Sequence, residues 1–236
     1  MDIDVNESEP SRFDADSLPA CLRRRLKLPL PGRRAQVMFE PEAAFGRHFG
    51  PPSTDTRAAA VAILMYRRAH AWHVPLTIRR PELASHGGQI SLPGGMLEQD
   101  ESSDQAAIRE LEEEIGVAAG GVEMLGRLSP INLFSSRFYV VPWLAVVGET
   151  PRFVLNESEV AGLIELPLAA LMDRTLCGRH RCEVRGTLQS VPHLAYDRHQ
   201  IWGATAMILG ELRMLCDDAF AAGKETEQET ESSESS

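Results

Sequence analysis

Positive charge is scarce in this chain. Lys and Arg number 24 against 34 Asp and Glu, a formal charge of −10. That balance argues against non-specific nucleic-acid binding and gives no long-range pull on an anionic substrate, so any phosphate must be captured locally. Long apolar runs are missing too. The longest, Ala58 to Tyr66, is well short of the ~20 residues a membrane-spanning helix needs. Met1-Asp2-Ile3-Asp4 has neither the basic flank nor the apolar stretch of a secretory leader. These absences set the expectation of a soluble, cytoplasmic protein with no nucleic-acid or membrane partner. The 4 cysteines are then expected to stay reduced. Cys177, His180 and Cys182 invite a zinc reading, but no second cysteine pair lies nearby to complete it. No internal repeat is present.

The chain of 236 residues, 43% of them hydrophobic, is long enough for one well-packed catalytic domain with tails. Residues 1–56 read as a polar, irregular lead-in, with a short helix that can pack within Leu18 to Leu30 and another around Pro41 to His48. Residues 57–216 read as the domain. Residues 217–236 read as an acidic, disordered tail, since Lys224 to Ser236 holds five glutamates and no apolar residue.

Within the domain, Ala58–Tyr66 and Trp72–Ile78 predict a strand hairpin, and Val122–Leu128 and Phe138–Val147 predict two more strands. Pro142 is expected at an edge or strand-end position rather than in a central ladder. Val160 to Leu168 predicts a strand and a short helix. From Ile201 to Leu215, apolar residues at helical spacing predict a helix covering one face of the sheet.

The densest chemistry lies in Gly95–Val117, GMLEQDESSDQAAIRELEEEIGV. From Asp104 the apolar Ile108, Leu111 and Ile115 share one helical face, and Glu110, Glu113 and Glu114 fall at i, i+3 and i+4 on the opposite side. Ser102, Ser103 and Asp104 are cap candidates, and Gly116 can end the helix at positive φ. Three like charges on one face repel by roughly 0.2–0.5 kcal/mol per i,i+4 pair. A divalent cation reverses that penalty, because carboxylates are hard oxygen ligands.

The register Gly95, five residues, Glu101, seven residues, Arg109-Glu110-Leu111, one residue, Glu113-Glu114, one residue, Gly116-Val117 resembles the Nudix box at every position. The resemblance implies an α/β Nudix fold, an α/β/α sandwich with a mixed β-sheet. It also implies Mg²⁺ or Mn²⁺ held against a substrate diphosphate. Carried over, Glu110, Glu113 and Glu114 become the metal-binding and base-supplying carboxylates, with the proton acceptor left open among them. Gly95 offers a carbonyl to the metal, and Arg109 and Glu101 orient the carboxylates.

Upstream, Leu76 to Gly95 is similar to the extended motif of the coenzyme A pyrophosphatase branch, with Pro75, Arg80 and Leu92 departing from its pattern. Ser136-Arg137-Phe138 likewise replaces a Ser-Gly-Phe. Arg79, His86 and Gln89 supply donors suited to phosphate or an amide, and Arg79 is expected to meet the 3′-phosphate of coenzyme A. Glu159 reads either as a further metal ligand or as an exposed loop carboxylate. The implied reaction is hydrolysis of the diphosphate in coenzyme A or its thioesters. The partner is that small molecule, with a homodimer left open.

Overall fold

The computed structural model describes residues 16–44, 46–81, 88–184 and 186–234; His86 lies outside them. The central strand is β1 (Arg57–Arg68), whose side chains alternate between two cores. Ala60, Ala62 and Leu64 pack with α3 (Ser103–Ile115), while Ile63 and Met65 join the larger cluster containing α5 (Gly203–Glu234). Burial on both faces explains why this strand reads as a continuous apolar run.

Strand β2 (Ala71–Arg79) returns antiparallel through the two-residue turn Ala69-His70, both at positive φ. β3 (Ile90–Ser91) and β8 (Val160–Pro167) pair with β2, and β4 (Gly94–Met96) pairs with the first half of β1. On the other side β7 (Phe138–Val147) runs parallel to β1, and β5 (Val122–Arg127) and β6 (Ile131–Leu133) pair with β7. The result is a mixed sheet between helical layers, as expected. A second sheet, in the order β11 (His199–Trp202), β10 (Thr187–Tyr196), β9 (Cys177–Val184), lies between α4 (Leu168–Met172) in sequence and α5.

Two expectations need correction. Pro142 is not at a strand end: it sits inside β7 opposite Val61. Its carbonyl accepts from Leu128 N–H at 2.9 Å, so its missing donor points the same way, into the break between β5 and β6 where no ladder bond is required. The lead-in carries the short packed helix expected within Leu18 to Leu30. α1 (Leu18–Arg25) buries Leu18 and Leu22, one turn apart, and α2 (Arg33–Gln36) leads into buried Phe39. Arg25 binds Asp218 at 2.8 Å. Glu211, fully buried on α5, accepts from Gly32 N–H at 3.0 Å, Gln36 Nε2 at 2.7 Å and Ser129 Oγ at 2.6 Å.

The acidic tail is the second correction: α5 runs to Glu234, since Glu, Lys, Gln and Ala are compatible with an established helix. Cys177 and Cys182 lie an odd number of residues apart on β9, which turns them to opposite faces. No helix among the described residues is long and apolar enough to cross a membrane.

Candidate active site

Local chemistry fixes the box helix at both ends. At the start Gln105 Oε1 accepts from the Ser102 backbone N–H at 3.0 Å, and Ser103 Oγ accepts from Trp143 Nε1 at 3.0 Å. At the end Gly116 takes φ 72°, its N–H bonds Glu112 O, and Val117 N–H reaches back to Leu111 O.

The helix is rotated differently from the expected stripe. Its buried face is Ala106, Ala107, Leu111, Glu114 and Ile115, with Ile108 only half-buried. Small residues on both sides, Ala106 and Ala107 against Ala60 and Ala62, bring helix and sheet together. Glu110 and Glu114, at i+3 and i+7 from Ala107, are thereby drawn to the sheet. Glu114 is 3% exposed and its Oε2 has no hydrogen-bond partner. Glu113 stays outside with its side chain 54% exposed.

Arg109 ties the other carboxylates together. Its Nε and Nη2 hold Glu101 at 2.8 and 3.1 Å, its Nη1 reaches Glu110 at 2.9 Å and Glu113 at 2.8 Å, and Nη2 also meets Met96 O at 3.0 Å. Glu101 in turn accepts from Glu98 N–H at 2.9 Å. The Arg109 hydrogen bonds hold the Glu101 carboxyl below its ordinary range. Gly95 lies directly beneath Glu110: a Cβ there would fall 2.1 Å from Glu110 Oε1. Only glycine lets that carboxylate rest against the backbone.

The electrostatics point the other way at the two inner glutamates. Burial first, then the charges of Glu110 and Glu159, push Glu114 up to about 8, against the opposing influence of Arg79 and the Gly94 N–H. Burial likewise raises Glu110, opposed by Arg109 and reinforced by Glu113 and Glu159. Glu159 therefore belongs to the site's field, and its placement has a plain cause. Val154 and Asn156 N–H groups bond Ile115 O and Glu114 O at 3.0 Å each, and Arg80 N–H bonds Glu159 O at 2.9 Å. The loop is stitched between the end of α3 and the end of β2.

Arg79 Nη1 stands 3.7 Å from Glu114 Oε1. Gln89 is brought close by backbone pairing, since its carbonyl accepts from Arg79 N–H at 3.0 Å. The structure thus gathers Arg79, Gly95, Glu101, Arg109, Glu110 and Glu114, adds Glu159, and leaves Glu113 on the rim.

This donor set fits a divalent metal. Among the described residues no three His, Cys, Asp or Glu side chains are gathered around one point, but Mg²⁺ takes only one or two protein carboxylates. A buried carboxylate pair with an unsatisfied oxygen is what such an ion would neutralise.

The family model described as NUDIX domain matches residues 56–183. The chain belongs to the Nudix family. It is 36% identical over 163 residues to "Uncharacterized Nudix hydrolase NudL" of Yersinia pestis (strain Pestoides F), covering 68% of this chain and 80% of that protein. The NudL of Yersinia pseudotuberculosis serotype O:1b (strain IP 31758) matches with the same figures. Among solved structures, the Nudix hydrolase RenU of M. smegmatis gives a TM-score of 0.49 at 20% identity, covering 69% of this chain and 86% of that one. The chain is a Nudix hydrolase, an enzyme of small-molecule pyrophosphate hydrolysis, and Nudix hydrolases generally need divalent metal ions.

Proposed function

We propose that the enzyme hydrolyses the diphosphate bond of coenzyme A or an acyl-coenzyme A, giving 3′,5′-ADP and 4′-phosphopantetheine or its acyl form. What carries this reading is the likeness of Leu76 to Gly95 to the motif of the coenzyme A branch, whose Arg79, at the end of β2, stands 3.7 Å from Glu114. That position also revises the role expected of Arg79. A guanidinium beside the carboxylates suits the diphosphate, which every candidate substrate shares, better than a distant 3′-phosphate.

Glu110 and Glu114, with the Gly95 carbonyl, would hold Mg²⁺ or Mn²⁺, and Glu159 faces the same charge. When bound, the ion supplies neutralisation of the diphosphate oxygens and acidifies a water. Arg109 fixes Glu110 and Glu113 in register through one nitrogen. Glu113, half exposed and free of the sheet, accepts the proton of the attacking water and returns it to solvent. Arg79 and Gln89 orient the diphosphate.

The test is a panel of coenzyme A, acetyl-coenzyme A, ADP-ribose, NADH and diadenosine polyphosphates, each with Mg²⁺ or Mn²⁺, followed by separation of nucleotide products. The expected result is 3′,5′-ADP from the coenzyme A substrates at the highest kcat/KM. A higher kcat/KM on ADP-ribose, NADH or a dinucleoside polyphosphate would overturn the assignment.

A further inference from the structure

We propose that Arg79 is the side chain facing Glu114 in the metal-free enzyme and changes partner, from that carboxyl group to the substrate's diphosphate, when a divalent cation enters. The inference rests on the reading that Glu110 and Glu114 seat that cation. Glu114 is 3% exposed, its Oε2 is unpartnered, and the nearest cationic atom is Arg79 Nη1 at 3.7 Å from Oε1. That separation is an ion pair without a close hydrogen bond. Arg79 lies beside the buried carboxyl group without being locked to it.

The surroundings allow the exchange. The Arg79 backbone is pinned on both sides, N–H to Gln89 O and carbonyl from Gly88 N–H, each at 3.0 Å. Its side chain is 27% exposed, so the guanidinium can swing while β2 stays in place. A divalent ion on the Glu114 carboxylate would repel a guanidinium at that distance. Freed beside a cation, the guanidinium next meets the phosphate oxygens, to which its planar fork of donors is matched.

Metal and substrate are therefore coupled through one side chain. Removing the arginine's charge should tighten metal binding and weaken substrate binding, a pair of opposite signs that a merely structural residue would not produce.

The experiment measures Mn²⁺ affinity by titration calorimetry, and free Mn²⁺ by electron paramagnetic resonance, on the full chain without substrate. Wild type, Arg79→Met and Arg79→Lys are compared, and KM for coenzyme A is read in parallel. Arg79→Met is expected to bind Mn²⁺ at least about threefold more tightly and to raise KM about tenfold or more. Arg79→Lys, which keeps the charge, should retain wild-type metal affinity and so shows that charge, not folding, is responsible. Unchanged or weaker Mn²⁺ binding by Arg79→Met, with wild type binding normally, overturns the inference alone. A wild type that takes up no Mn²⁺ overturns the metal seat and the inference with it.

Discussion

Gly94 and Gly95 are adjacent, yet an added methyl group should damage different things at each. At Gly95 the Cβ would lie 2.1 Å from Glu110 Oε1 and 2.7 Å from its Cδ. The obstacle is the far end of a flexible side chain, so the carboxylate must withdraw by roughly 1 Å, and a misplacement of that size can cost about 10²-fold in rate. Withdrawal also breaks the 2.9 Å bond from Arg109 Nη1 to Glu110, a charge-assisted contact worth about 1.5–3 kcal/mol.

At Gly94 the Cβ would instead meet the Ala60 backbone oxygen at 2.4 Å and Val61 Cα at 2.7 Å. No rotamer relieves that, and the β1–β4 pairing must open. Gly95→Ala is therefore expected to lower kcat/KM by about 10²–10³-fold, with a smaller fall in melting temperature than Gly94→Ala. Gly94→Ala should destabilise by about 3 kcal/mol or more. Thermal melting and steady-state kinetics over an Mg²⁺ titration separate the two. Wild-type kcat/KM in a folded Gly95→Ala would show that Glu110 has no need of its place against the backbone.

Stability should also depend on pH when metal is chelated. Glu114 stands at about 8 in the folded chain against 4.5 ordinarily, so between those values the native state keeps a proton that the unfolded state has lost. Stability then falls as pH rises through this window and levels off above it, by up to about 4–5 kcal/mol. Urea unfolding at pH 5 and 8.5 measures this; Glu114→Gln should flatten the profile, and Mg²⁺ should restore stability at pH 8.5. An equally steep profile in Glu114→Gln would assign the effect elsewhere. Glu211→Ala should cost about 3–5 kcal/mol in denaturant unfolding by stranding its buried donors on Gly32, Gln36 and Ser129. A loss under 1 kcal/mol would mean that water replaces the carboxylate.

Features governed by neighbours in sequence were legible. The ends of α3 follow from Ser102 and Gly116, and the β1–β2 hairpin follows from two apolar runs around a short polar turn. Features governed by neighbours in space were not. Periodicity placed the three box glutamates together, but which of them turns inward depends on Ala60 and Ala62 of a strand some fifty residues earlier. Burial of Glu114 is a property of that contact. Glu159 was left between two roles because its position comes from backbone bonds to Glu114, Ile115 and Arg80 made by the loop, and no side-chain pattern announces them. Pro142 was misjudged for a related reason: its tolerance depends on where β5 ends and β6 begins.

The inward glutamate offers the most direct test. Turnover of coenzyme A at saturating Mg²⁺ should fall by at least about 10²-fold in Glu114→Gln, because the amide keeps the shape and removes the charge that the cation needs, while the protein stays folded. Wild-type turnover by a folded Glu114→Gln enzyme under those conditions would contradict the account.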